Sequence, residues 1–423
     1  MPLIVQKFGG TSVGDPERIR KVADRVVHAS EAGVDLVVVV SAMGHTTDEL
    51  MGLASAVAAE PRRHPRELDM LLTAGERISM ALLAMALCER GVEAVSLTGS
   101  QAAIITDGSH TGARIEEIRV ERVRQELGRG RIVIVAGFQG VSRAREVTTL
   151  GRGGSDTTAV ALGAALGADR VDIYTDVRGV FTADPRKVPG ARHVPVIAFE
   201  EMLELAASGA QVMHPRAVEI GARFGIPIRV LSSFEDREDG GTLITHGEDP
   251  AIERLALTGL ASETGFVRFV LRGLPGGMAP TTEVLSRFAK AGISVDVVAH
   301  ADRADGRRQL QLTVREAAFP EARELFEALV RDLGAEAMET RHGIAQVVLV
   351  GSGMHDRPGV YADAFGALLD ADIEVLGLTT SAISISLLID EEREPDALRA
   401  LHATFGLEGG PDAPPAPEAE PRP

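Results

Sequence analysis

The chain has 423 residues, of which 45% are hydrophobic, enough for about two or three domains with real cores. A formal net charge of −17 argues against nucleic acid or an anionic membrane as the main partner. Cys88 is the only cysteine, which excludes an internal disulfide and a thiolate zinc site. No apolar stretch approaches the roughly 20 residues needed to span a bilayer, and Met1-Pro2-Leu3 runs directly into a strand. These features predict a reduced, cytoplasmic, soluble protein without a signal peptide.

Leu3-Ile4-Val5 reads as a short buried strand with Lys7 at its tip, followed by Gly9, Gly10, Thr11 and Ser12. Ligands of open α/β sheets bind at strand C-termini, where glycines admit phosphate and a fixed ammonium neutralises its charge. A plain strand-to-helix turn is the bland alternative. Asp15-Pro16 predicts an N-cap with proline at the first helical position. Ile19, Val22, Val26 and Val27 form the stripe of that helix. Residues 36–40 are a continuous apolar run, as in a strand buried on both faces. Ser41 and Thr47 follow it. Residues 67–91 predict one long helix carrying Glu76 in apolar surroundings, either as a ligand for a cation or as a salt-bridged residue. Cys88, on the same stretch, is expected in the core.

Residues 92–97, 131–138, 171–175 and 226–231 predict further strands. Gly151-Arg152-Gly153-Gly154-Ser155-Asp156 opens a small-residue helix over 154–166, whose amides and dipole can seat phosphate. Ser155 can donate to a phosphate oxygen. Asp156 can cap the helix, hold Lys7, or help bind Mg²⁺. After the next strand, Thr175-Asp176 through Arg186 is either an ordinary turn or a nucleotide loop. There Asp176 would reach a ribose or a metal and Arg186 a phosphate. The alternation predicts a mostly parallel sheet covered by helices.

The character changes at the polar run 236–241. Two similar units follow, each with a strand, a glycine-containing turn, a helix and further strands, a tandem βαββαβ-type pattern. The Pro-, Ala- and Glu-rich tail from Gly409 predicts disorder.

Taken together, residues 7–12, 41–48, 72–79, 151–158 and 175–186, with Met213-His214-Pro215-Arg216, resemble the aspartate kinases of the amino-acid kinase superfamily. The resemblance implies an α/β amino-acid kinase fold over 1–245, then two ferredoxin-like ACT domains over 263–335 and 343–408, and a disordered tail over 409–423. It implies ATP and Mg²⁺ as nucleotide and cation, L-aspartate as acceptor, and a homodimer or higher homo-oligomer through the ACT domains. Lys7 and Asp156 would be catalytic, with Lys7 between the aspartate β-carboxylate and the ATP γ-phosphate. Arg152 would take the α-carboxylate and Glu76 the α-ammonium, with Ser41 and Thr47 lining the pocket. Gly9, Gly10, Ser155, Thr175, Asp176, Phe181, Arg186 and Gln211 would form the nucleotide side.

Several positions depart from the family pattern. Phe181 replaces a common tyrosine, and Gln211 replaces a lysine that would face phosphate, which predicts weaker ATP affinity or a lower rate. Ile373 lies fifteen residues after Pro358 of Asp356-Arg357-Pro358-Gly359. Counting fifteen back from Ile293 lands on Met278, so the first unit reads Gly276-Gly277-Met278-Ala279 there. His300-Ala301 and Thr379-Thr380-Ser381-Ala382 also depart. A charged effector needs paired partners in a partly buried site, so weakened lysine and threonine feedback is expected. Another amino-acid kinase, or a catalytically weak amino-acid-binding regulator, are the alternative functions.

Overall fold

The computed structural model describes residues 1–235, 240–247, 257–354 and 357–408. The polar run at 236–239, Asp356 and the tail expected over 409–423 lie outside the described residues. Contacts divide the chain into two compact units. One comprises Met1–Thr182 and Arg192–Thr258, the other Ala183–Ala191 and Gly259–Glu408.

In the first unit, β1 (Leu3–Phe8) and β2 (Asp35–Val40) are the apolar runs read from sequence. Between them α1 (Pro16–Glu31) is capped by Asp15, whose carboxylate accepts from the amides of Glu17 and Arg18, both at 2.8 Å. Next come α2 (Thr46–Val57), α3 (Pro65–Leu72), α4 (Ala74–Cys88) and β3 (Ala94–Leu97). A side sheet of β4 (Ile104–Thr106), β5 (Ile115–Ile118), β7 (Gln139–Ser142) and β8 (Val147–Thr149) has order β5-β4-β7-β8. Interleaved with it are α5 (Glu121–Leu127) and β6 (Ile132–Ala136). The unit closes with α6 (Gly154–Leu166), β9 (Arg170–Thr175), β10 (Val180–Phe181), β11 (His193–Val194), β12 (Val196–Ala198), α7 (Phe199–Ala207), α8 (Pro215–Phe224), β13 (Ile228–Ser232) and β14 (Thr242–Thr245).

The main sheet has order β12-β14-β13-β9-β1-β2-β6-β3, and all its pairings except β13 with β14 are parallel. Lys7 stands opposite Val39 and Ile173, and Phe8 opposite Val40 and Tyr174. The strand ends are therefore level, and the motifs at residues 9, 41, 137 and 175 emerge on one edge.

Two expectations for residues 67–91 are corrected. The helix is broken at Thr73 into α3 and α4, because Thr73 carries both the last amide bond of α3, to Asp69 O, and the start of α4. Cys88, at the end of α4, is exposed rather than core, because Leu83 and Leu87 take the buried face. Residues Pro65–Cys88 together also have the length and apolar composition of a membrane span. The break at Thr73 and the buried Asp69 and Glu76 mark them instead as internal helices of this unit.

The second unit is a six-stranded antiparallel sheet. It contains β15 (Gly259–Pro275), β16 (Val298–Asp302), β17 (Arg307–Arg315), β18 (Ala337–Val350), β19 (Gly377–Thr380) and β20 (Ser384–Asp390), in the order β16-β17-β15-β18-β20-β19. Its helices are α9 (Met278–Lys290), α10 (Phe319–Leu333), α11 (Val360–Asp370) and α12 (Glu394–Thr404). The two ferredoxin-like halves interlock: β15 pairs with β17 on one side and, along most of its length, with β18 on the other. Phe269 and Phe288 pack on Phe326 in its core at 4.2 and 4.9 Å. The segment Ala183–Ala191 joins this unit through Lys187, whose Nζ lies 2.6 Å from Glu394 and 3.2 Å from Ser262 Oγ.

Candidate active site

Lys7 is buried near the end of the central strand, and its Nζ lies 2.7 Å from Asp156 Oδ1 in the first turn of α6. The contact is the one expected if Asp156 holds Lys7, and the N-cap position of α6 is Gly153 rather than Asp156. Gly9 donates its amide to Tyr174 O at 3.2 Å and Gly44 donates to Gly10 O at 3.0 Å, so the loops after β1, β2 and β9 are tied together.

Two glycines make the start of α6 possible. Gly153 has φ +64°, and a Cβ there would meet the His214 side chain at 2.2 Å. A Cβ on Gly137, after β6, would meet Ser155 Oγ at 2.7 Å. Ser155 is thereby seated, buried, in the first turn of the helix. Burial lowers the pKa of His214, with Asp156 opposing.

Glu76 lies in the first turn of α4 and is 3% exposed. Its Oε1 accepts from Ala42 N at 3.2 Å, while Oε2 is buried with no hydrogen-bond partner among the described residues. Burial pushes its carboxyl up to about 7, against the amide bonds that favour the charged form. A buried carboxylate with one open oxygen suits an incoming ammonium, so the cation-ligand reading of Glu76 is the one the geometry favours. Ser41 follows β2 and donates its amide to Phe8 O at 3.1 Å; Thr47 sits in the first turn of α2. Arg152 is exposed in the turn between Gly151 and Gly153, both at positive φ.

On the other flank, Thr175 Oγ1 donates to Asp176 at 3.1 Å, and Asp176 is exposed. Phe181 is half-buried, edge-on to the His193 ring at 5.6 Å. Arg186 forks onto Asp184 at 2.9 and 2.8 Å and belongs to the segment counted with the second unit, so the first unit does not gather it with the rest. Gln211 is exposed in the turn between α7 and α8.

Other contributors escape a sequence reading. Arg25 of α1 donates to the carbonyls of Ser232, Ser233 and Glu235 and covers the Tyr174 ring at 4.9 Å. Asp69 is fully buried and accepts from Thr149, His110 and Thr111. Their only sequence signal is a charge on an otherwise apolar helical face. Among the described residues no three His, Cys, Asp or Glu side chains cluster to cage a metal. Mg²⁺ carried on phosphates needs only one or two protein carboxylates, and the exposed Asp176 fits that demand.

Known proteins match the chain over most of its length. A model of the amino acid kinase family matches residues 2–232, and an ACT domain model matches residues 347–405. The aspartokinase of Mycolicibacterium smegmatis is 48% identical over 417 residues, 98% of each chain. That of Geobacillus stearothermophilus is 47% identical over 408 residues, 96% of this chain and 98% of its own. The structure of E. coli aspartokinase III in complex with aspartate and ADP superposes with a TM-score of 0.80 at 28% identity, over 95% of this chain and 99% of that one. With its buried lysine near the end of the central strand and an ACT domain that follows the kinase domain in sequence, the chain belongs to the aspartokinases of the amino acid kinase family.

Proposed function

We propose that the chain transfers the γ-phosphoryl group of ATP to the β-carboxylate of L-aspartate, giving ADP and 4-phospho-L-aspartate. The observation that carries this reading is the pairing of buried Lys7 with Asp156, together with a buried Glu76 that has an open oxygen and bonds the amide of Ala42 after β2. The acceptor carboxylate is already ionised at neutral pH, so no general base is required. A carboxylate oxygen forms a bond to the γ-phosphorus as the bond to the ADP oxygen breaks. The difficulty is bringing two anions together, and the protein answers it by charge placement.

Lys7 lies between the two anions, and Asp156 aims its ammonium. Glu76 holds the α-ammonium and Arg152 the α-carboxylate, for which a planar fork suits bidentate pairing. Ser41 and Thr47 line the same pocket. Gly9, Gly10, Ser155 and the first turn of α6 receive phosphate, while Thr175, Asp176, Phe181 and Gln211 serve the rest of the nucleotide. Bound Mg²⁺ would neutralise phosphate charge. Trapping the acyl phosphate as its hydroxamate, with Lys7→Ala as control, tests the assignment; no product from the unaltered enzyme would refute it.

Feedback is weakened in the first ACT half. At the start of α9, Met278 is 62% exposed. Arg308 there already donates to Gly277 O at 3.0 Å and forks onto Asp302 at 2.6 and 3.1 Å. The chain's own guanidinium thus occupies the end of the helix. The second half retains a cavity of about 240 Å³ lined by Arg357, Gly359, Tyr361, Ser381 and Ser384. Titration with lysine plus threonine is expected to leave most activity; strong inhibition below millimolar effector would overturn this. Assembly into a homodimer through the ACT units is supported by Tyr361, Phe365 and Leu369, an exposed apolar stripe along α11. The composition, charge and biosynthetic chemistry support a cytoplasmic setting.

A further inference from the structure

The turn that presents Arg152 is held by groups that do not themselves reach the substrate pocket. Asp69 in α3 has no exposed surface, although it is a carboxylate on a helix outside the main sheet. Its Oδ1 accepts from Thr149 Oγ1 at 2.6 Å, and Oδ2 accepts from His110 Nδ1 at 2.6 Å. Both oxygens also take the amide of Thr111, at 3.1 and 3.2 Å. Thr149 ends β8, three residues before Arg152.

The loop carrying His110 and Thr111 lies against the same turn. Thr111 O is 3.3 Å from where a Cβ would stand on Gly151, and Ala113 donates its amide to Thr149 O at 2.8 Å. From the other side Arg216 of α8 donates to Leu150 O at 3.2 Å and Ala113 O at 3.0 Å. Thr111 has φ +65°, a conformation that a β-branched residue adopts only under constraint. The bonds from its amide to Asp69 supply that constraint.

The helix that carries Asp69 also leads, through its main chain, to Glu76. Thr73 donates its amide to Asp69 O at 3.1 Å at the break between α3 and α4, and Glu76 sits in the first turn of α4. One helix pair therefore carries Glu76 directly and braces the Arg152 turn through Asp69. We infer that Asp69, with Arg216, is a positioning residue that sets the spacing between Glu76 and Arg152 and so the fit of the α-amino-acid head group. The inference rests on the proposed role of Arg152 in holding the α-carboxylate.

The test is a double-mutant cycle read on the KM for L-aspartate, the KM for ATP and kcat. Asp69→Asn is expected to raise KM for aspartate about tenfold or more and to leave KM for ATP within about twofold. Thr149→Val, which removes one of the bonds with little change of shape, is expected to shift the same constant by a smaller factor. In an Arg152→Ala background both effects should nearly vanish. Effects of Asp69→Asn and Thr149→Val that persist in full in that background overturn the inference, as does an equal rise in both KM values. Because Thr149→Val is the milder change, it decides the matter if Asp69→Asn does not fold. An Arg152→Ala enzyme with unaltered KM for aspartate refutes the Arg152 assignment and the inference with it. A raised KM in that enzyme with additive effects refutes the inference alone.

Discussion

Lys7 and Asp156 meet at 2.7 Å across the end of the central strand, the lysine from β1 and the aspartate from the first turn of α6. The carboxylate fixes an ammonium that would otherwise sweep through its rotamers, and it reduces the cost of burying that charge. The pair also ties the first strand of the unit to the helix whose N-terminus is the proposed phosphate seat.

Lys7→Ala should lower kcat by about 10³-fold, the scale on which a single stabilising donor to a developing anion matters. Asp156→Asn should lower kcat by about 10²-fold, because the ammonium remains but is no longer aimed. Hydroxamate trapping measures both. A Lys7→Ala enzyme within tenfold of the unaltered rate would remove Lys7 from the reaction.

The raised carboxyl of Glu76 predicts a pH signature. With its value at about 7 in the free enzyme, the ionised form needed for an ammonium is depleted as pH falls below 7. The kcat/KM for aspartate should therefore fall by up to about tenfold per pH unit on the acid side, while kcat at saturation stays flatter. Glu76→Gln should abolish the inflection and weaken aspartate binding throughout. Stability follows the same sign. The native state holds a proton that the unfolded chain releases at about 4.5, so stability from this group is full below that pH and is lost as pH rises through about 7. Thermal unfolding of the Gln variant should lack that loss.

Gln211→Lys should lower KM for ATP by about two- to fivefold and leave KM for aspartate unchanged. The gain is modest because position 211 is exposed, where charge pairing contributes about 1 kcal/mol or less and is screened by salt. An unchanged KM for ATP at low ionic strength would show that the missing charge does not face phosphate.

Cys88→Ser should change stability by less than about 0.5 kcal/mol, since the side chain is exposed at the end of α4. The native thiol should react with a thiol reagent without denaturant. A thiol that reacts only after unfolding would contradict its exposure.

The order of strands and helices in the first unit is written in local chemistry. The β-branched run of β2, the Asp15 cap with Pro16, and the glycines around Arg152 each act on neighbours a few residues away, so they are legible one by one. Lys7, Arg152 and Ser155 are recognisable as candidates for the same reason, since they stand where a strand ends or a helix opens, and Glu76 is recognisable as a charge in an apolar stretch. What the sequence alone could not decide was set by partners far along the chain. Only the fold places Asp156 beside Lys7, and only burial leaves one oxygen of Glu76 open. The break at Thr73, the exposure of Cys88 and the assignment of Arg186 to the second unit have no local signature. Asp69 is the sharpest case, because its meaning depends on Thr149 and His110, 80 and 41 residues away. Local patterns determine which elements form and where charge is available; only the closing of the sheet and its loops decides which charges meet, because burial and distance are properties of the packed chain.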